Sequence, residues 1–197
     1  MNVPAEKFTD DEEEEDNPDK EKQQILENPL QTIGRFHTAR VNGVKPLGQS
    51  TQMVSISSDH TVAIWEVTNN QQLSCITMPV EPISIDVSRE GSVMFIGTVV
   101  GTFRIYDITN RQKPRLIKQL KFFEDEKPVS QILSSEDGKM VLISSKRSDT
   151  FFVMSQDPSN GYDIMGQIKG NGYILSLGFY QHENRPVALA VLSNNLV

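Results

Sequence analysis

The sequence predicts an all-β fold built from repeated antiparallel sheets. Beyond residue 40, apolar side chains alternate with polar ones or form short continuous runs, which is the pattern of half-buried and fully buried strands. No helical periodicity is present beyond residue 30. Successive sets of strands start at Val41, Ile83, Val129 and Ile174, which are 42, 46 and 45 residues apart.

Each complete set holds four predicted strands. In the first set they cover residues 41–44, 53–56, 61–65 and 73–76, and in the second 83–87, 93–96, 103–106 and 116–120. In the third they cover residues 129–132, 141–143, 151–153 and 162–165, and two further runs follow at 174–180 and 187–192. Gly91 and Gly138 end turn segments inside the second and third sets, because glycine adopts positive φ without steric cost. Phe122 and Phe123 serve either in packing or as an interface anchor.

Four strands in about 40–45 residues is the size of one β-propeller blade. One such sheet cannot bury both of its faces alone, so several must stack around an axis. We therefore expect a partial propeller of about three and a half blades, with a lead strand near residues 31–36 and units near residues 41–80, 82–125, 128–170 and 173–197. The last unit stops inside a blade, after the turn signal at 194–195, so we expect missing sequence or other chains to complete the propeller.

The N-terminal 28 residues differ from the rest of the chain in charge. They hold eleven acidic and three basic residues, a net charge of −8, which leaves +1 for residues 29–197. Residues 10–16 are seven consecutive acids. Because like charges repel and no apolar face is available, residues 1–28 are predicted to be a disordered tail and residues 29–197 the propeller. The tail is either a solvated spacer or an electrostatic hook for a basic partner, and its charge disfavours binding to nucleic acid.

The chain lacks the sequence signals of a catalytic, metal or cofactor site. The Gly-x-Ser-x-Gly elbow of a hydrolase is absent, and no histidine stands at metal-ligand spacing from another histidine or a cysteine. The glycine-bearing segment 97–102 lacks the lysine of a phosphate loop. We therefore expect no enzyme, and no catalytic, cofactor-binding or metal-binding residue. The single cysteine and the absence of a long apolar run predict a cytoplasmic protein without a membrane span.

One segment carries a specific motif. Residues 57–67 read SSDHTVAIWEV, and His37 precedes Trp65 by 28 residues. This segment resembles the Ser-x-Asp-x-Thr-Val-x-Ile-Trp-Asp signature of WD-repeat propellers, with Glu in place of the final Asp and Phe in place of the Gly before the upstream His. In that family the His, Ser/Thr, Asp and Trp form a buried chain of hydrogen bonds that satisfies the carboxylate. The resemblance implies a structural tetrad of His37, Ser57, Asp59 and Trp65.

The later units resemble the same family in spacing and strand pattern, with Tyr106 in the place of the tryptophan. Residues 93–102, 151–153 and 162–168 are most similar to cilia- and flagella-associated WD-repeat proteins of the axoneme. The resemblance implies a non-enzymatic cytoskeletal scaffold that tethers or positions inner-arm dynein through contacts with dynein, tether or microtubule-associated subunits. The alternative is a general intracellular WD-repeat adaptor in a trafficking, chromatin or ubiquitin-ligase complex.

Overall fold

The computed structural model describes residues 36–123, 127–183 and 185–193. Within these ranges the chain forms fourteen strands, one 3₁₀ turn at Pro158–Asn160, and no α-helix. The strands form three four-stranded antiparallel sheets and one two-stranded sheet, so the predicted all-β fold is confirmed. The predicted acidic tail, the lead strand apart from its last residue, and the turn at 194–195 lie outside the described residues.

Each sheet is formed by strands that follow one another in the chain. The first sheet contains β1 (Val41–Pro46), β2 (Gln52–Ser57), β3 (Thr61–Glu66) and β4 (Gln71–Thr77). The second contains β5 (Pro82–Val87), β6 (Val93–Thr98), β7 (Thr102–Asp107) and β8 (Arg115–Lys121). The third contains β9 (Gln131–Ser134), β10 (Met140–Ser144), β11 (Thr150–Ser155) and β12 (Ile164–Lys169). The fourth is a hairpin of β13 (Ile174–His182) and β14 (Arg185–Leu192).

The sheets stack face to face because the second and third sheets, which lie between the first sheet and the hairpin, are apolar on both faces. Side chains alternate along a strand, so Met94 and Ile96 of β6 pack against the first sheet, whereas Phe95 packs towards the third. A further apolar cluster joins the third sheet to the hairpin and includes Leu142 and Ile174. The first strands of consecutive sheets contact one another, β1 with β5, β5 with β9 and β9 with β13. This arrangement is that of a partial propeller, with the first strands innermost.

The two adjacent phenylalanines belong to the core. The ring of Phe122 lies 4.7 Å from the ring of Phe152 and 5.5 Å from that of Phe103. Phe123 is 6% exposed, and its ring lies 5.6 Å from Phe152. Packing between the second and third sheets therefore accounts for both side chains.

The repeat is also visible in the irregularities of the strands. In the first strands of the first sheet, the second sheet and the hairpin, one residue bulges out of the ladder, namely Asn42, Ile83 or Leu175. In the outer strand of each four-stranded sheet, the bulged residue is Leu73, Ile117 or Met165. A bulge increases the local twist of a strand, so the sheets acquire their twist at equivalent places.

Two predicted strands of the third unit are displaced in the structure. The first strand, expected at residues 129–132, runs over Gln131–Ser134. The fourth strand of the third unit, expected at residues 162–165, runs over Ile164–Lys169. Tyr162 has a φ of 56° and is 3% exposed in the core between the second and third sheets. Its left-handed backbone cannot continue a strand, and its buried ring supplies an apolar side chain that the sequence pattern alone does not distinguish from a strand residue.

Candidate functional site

A chain of hydrogen bonds links four side chains at one end of the first sheet. Nδ1 of His37 lies 3.0 Å from Oδ2 of Asp59, and Nε2 of His37 lies 2.7 Å from Oγ of Ser55. The indole Nε1–H of Trp65 donates to the same Ser55 oxygen at 2.8 Å. The order of the chain is therefore Asp59, His37, Ser55 and Trp65.

The serine of this chain is Ser55, whereas the resemblance to WD repeats implied Ser57. The two serines are two positions apart on β2 and point to the same face, so the sequence pattern does not separate them. The strand register distinguishes the two serines, because Ser55 pairs with Ala63 and therefore lies diagonally beside Trp65. Ser57 stands at the end of β2, where its hydroxyl donates to the carbonyl of Ala39 at 3.3 Å and accepts the N–H of Asp59 at 3.1 Å.

Asp59 is the acceptor on which the turn between β2 and β3 is built. Its carboxylate accepts the backbone N–H of Thr38 at 2.8 Å, the N–H of Thr61 at 2.9 Å and the hydroxyl of Thr61. Burial alone would raise the pKa of Asp59, but the hydrogen bonds from Thr61, Thr38 and His37 together lower that pKa far below its ordinary value. The carboxylate is thus ionised at every physiological pH, and the turn depends on its charge.

The same atoms have the order of a Ser-His-Asp hydrolase triad, but the arrangement is closed. Ser55 is 2% exposed, and the side chains of His37 and Asp59 are 3% and 7% exposed. Trp65 donates to the oxygen that would be the nucleophile, and the ring of Phe36 lies 5.3 Å from the Trp65 ring. A nucleophile must reach its substrate, so this geometry braces a turn and offers no open reaction site.

A metal site, a membrane span and a reactive thiol each place requirements on the parts of the chain that the structure describes. There, no group of three or more His, Cys, Asp or Glu side chains could hold a metal ion. Nor does that part of the chain contain a helix long and apolar enough to cross a membrane. Cys75 is exposed, but partial burial of its thiol and the nearby Asp59 raise its pKa, which disfavours the reactive thiolate.

The inner strands are joined by a side-chain hydrogen bond at each junction between sheets. The amide of Asn42 donates to the carbonyl of Pro82 at 2.9 Å, and the hydroxyl of Ser84 donates to the carbonyl of Val129 at 2.6 Å. At the next junction the Gln131 amide donates to the Leu175 carbonyl at 2.6 Å. An asparagine, a serine and a glutamine thus form equivalent hydrogen bonds at the three junctions. Because the donors differ, no sequence motif predicts these bonds.

One carboxylate connects three sheets. Asp86 of β5 pairs with Nζ of Lys45 of β1 at 2.8 Å and accepts the backbone N–H of Ser134 of β9 at 2.6 Å. The Asp86 side chain is 9% exposed and that of Lys45 is 37% exposed. Charge-assisted bonds of this kind are stronger than neutral ones, so Asp86 links the first strands of the first three sheets.

The fold and the site together define a class of protein: an all-β chain of repeated four-stranded sheets, arranged as a partial propeller, in which a buried polar network holds a turn. Comparison with known proteins gives no narrower class, since no family model and no curated protein matches the chain. A narrower class therefore depends on the motif in residues 57–67 and on His37 and Ser55, which form the hydrogen-bond chain with Asp59 and Trp65.

Proposed function

We propose that this chain is a non-enzymatic scaffold for protein–protein interactions, built on a propeller of the WD-repeat type. The observation that carries the proposal is the buried chain of Asp59, His37, Ser55 and Trp65, which devotes its polar atoms to holding a turn. The side-chain bonds between inner strands support it, because they stiffen the row of sheets. Function on such folds resides in surface sites and loops rather than in the repeat.

Within this class we propose a cytoskeletal location, the axoneme of a cilium or flagellum. The resemblance of residues 93–102, 151–153 and 162–168 to axonemal WD-repeat proteins supports this location. The protein then tethers or positions inner-arm dynein by docking on dynein, tether or microtubule-associated subunits. Its contribution is mechanical and positional, and it requires no turnover, cofactor or metal.

The outer face of the β13–β14 hairpin supports the expectation that other strands complete the propeller. One face of the hairpin packs on the third sheet through Ala188 and Leu192. The opposite face exposes Leu175 by 50%, Leu189 by 50% and Val191 by 49%. The equivalent faces of the first three sheets are covered by the next sheet, so further sequence or another chain is proposed to cover this one.

The test is fractionation of ciliated cells of the source organism that express the tagged full chain. We expect retention in axonemes after detergent extraction and a salt wash. A Leu189→Lys substitution should reduce retention if the exposed hairpin face is an interface, whereas Gln167→Lys, at an exposed position of β12, should not. A purely soluble pool would overturn the axonemal location, and stable co-purification with a non-ciliary complex would favour the general adaptor.

A further inference from the structure

A groove of about 680 Å³ opens beside the turns that begin the second and third sheets. It lies between the β5–β6 turn, the β9–β10 turn and the loop that follows β11. Its apolar lining includes Val93, Met140, Pro158, Met165 and Pro186. The volume is in the range of sites that hold small molecules or short peptide segments, and methionines adapt their shape to varied apolar partners.

The rim of this groove is acidic. Three carboxylates line it, those of Glu90, Asp137 and Asp157, against one ammonium group, that of Lys139. The Lys139 ammonium is 3.9 Å from Asp137, and its side chain is 79% exposed, so it neutralises the rim weakly. Among the described residues Glu90 has neither a hydrogen bond nor an ion pair to its carboxylate.

The other two carboxylates are held in place and keep their charge. The hydroxyl of Ser135 and the N–H of Lys139 bond to Oδ1 of Asp137 at 2.6 and 3.1 Å. The N–H and hydroxyl of Ser159 bond to Oδ1 of Asp157 at 2.8 and 2.7 Å. Among the described residues, Oδ2 of Asp137 has one charged partner, the Lys139 ammonium at 3.9 Å, so this oxygen can still accept a hydrogen bond.

We infer that this groove docks a short, extended segment of a partner protein in which an apolar side chain stands next to a lysine or arginine. The apolar side chain would lie against Met140 and Met165, and the cation would form ion pairs with Glu90 and with Oδ2 of Asp137. The chain's own run of seven acids at residues 10–16 has the wrong charge for this rim. The inference names one docking surface of the proposed scaffold and therefore rests on that proposal.

The experiment uses the full chain and a phage-displayed library of random heptapeptides. We expect the selected peptides to share an apolar residue beside Lys or Arg, and we would measure the affinity of the best fluorescein-labelled peptide by fluorescence anisotropy. Glu90→Lys should weaken binding by about tenfold or more, because it replaces attraction by repulsion at the rim. Glu136→Lys is the matched control, since it makes the same charge change on an exposed side chain that does not line the groove, and it should weaken binding less than Glu90→Lys because its charge is farther from the bound cation.

A second pair of variants tests the apolar part of the groove. Met165→Ser should weaken binding by about fivefold through lost apolar contact. Ile168→Ser, on the same strand but outside the groove, should leave the affinity unchanged. The inference is overturned if no peptide is selected, if the selected peptides lack a basic residue, or if Glu90→Lys and Met165→Ser bind as the wild type does. Such a failure would leave axonemal retention intact, so it is distinguishable from failure of the scaffold proposal.

Discussion

The first and second sheets close the same turn with different chemistry. In the first sheet this is the turn between β2 and β3. Its residue with positive φ is His60, and the carboxylate of Asp59 accepts hydrogen bonds from four donors there. In the second sheet the equivalent turn lies between β6 and β7. Its residue with positive φ is Gly101, and the hydroxyls of Thr98 and Thr102 form a hydrogen bond of 2.6 Å. A charge holds the first turn, whereas a glycine and a neutral hydroxyl pair hold the second.

The strands beside these turns differ in the same way. Ser55 and Trp65 of the first sheet correspond to Ile96 and Tyr106 of the second, each pair being 41 residues apart. Ile96 is fully buried in the apolar cluster between the two sheets, and the Tyr106 hydroxyl donates to Sδ of Met78 at 3.4 Å. The backbone repeat therefore does not need the motif. The first sheet depends on charge and hydrogen bonds, and the second depends on volume.

The largest expected effect comes from removing the charge of the first turn. Asp59→Ala leaves the imidazole of His37, two backbone N–H groups and a hydroxyl without their acceptor, and should cost about 3 kcal/mol of unfolding free energy. Val100→Ala changes the equivalent position of the second sheet and should cost less than about 1 kcal/mol. Urea unfolding measures both. Similar losses from the two variants would contradict the comparison.

The next largest effect tests the dependence of the second sheet on volume. A Cβ added at Gly97 would lie 2.3 Å from Oγ of Ser84 and 2.5 Å from Val129, so Gly97→Ala should destabilise the fold by about 2 kcal/mol through overpacking. Gly166→Ala is the control, because an added Cβ there meets no atom within 4 Å. Its stability should change by less than about 0.5 kcal/mol. A neutral Gly97→Ala variant would show that the junction can relax.

The identity of the serine in the network is the third test. Ser55→Ala removes the partner of both His37 Nε2 and Trp65 Nε1 and should cost about 2 kcal/mol. Ser57→Ala loses two longer bonds and should cost about 1 kcal/mol. Trp65 is the single tryptophan of the chain, so its indole N–H resonance is resolved in a proton NMR spectrum. That resonance should shift in Ser55→Ala and hold its position in Ser57→Ala.

The smallest effect is a dependence on pH that belongs to the first turn. The pKa of Asp59 is lowered from its ordinary value of 3.8, so its ionised form stabilises the folded state above pH 4. That contribution is lost as the pH falls towards the folded-state pKa, and the loss should reach about 1 kcal/mol by pH 3. The measurement is the difference in unfolding free energy between the wild type and Asp59→Asn at pH 6 and pH 3. A difference that does not shrink at pH 3 would disprove the assignment.

Much of the fold follows from the sequence alone. The period of the apolar runs predicts three four-stranded sheets and a further hairpin, and all of them are present. Gly91 and Gly138 have φ of 70° and 69°, as the turn signals predict. Alternation and turn chemistry are local properties, so they can be inferred without knowledge of the neighbouring sheets.

The features that the sequence does not predict are those determined by strand register or by contacts between sheets. Ser55 and Ser57 share a face, so only the pairing with β3 shows which one meets Trp65. The bond from Ser84 to Val129 crosses between sheets, and no spacing rule predicts it. The acidic groove joins residues of the second sheet, the third sheet and the hairpin, which become neighbours only after the sheets have stacked.

The bulges at Leu73, Ile117 and Met165 have a consequence for the behaviour of the molecule in crowded solution. Each lies on the outermost strand of its sheet, where backbone N–H and C=O groups face outwards. A fibril grows when one exposed strand offers an uninterrupted ladder to the next molecule. Because β4, β8 and β12 each carry a bulge, none of these three outer strands offers a regular ladder to a neighbouring molecule. We therefore expect these three outer strands to resist the edge-to-edge pairing from which fibrils grow.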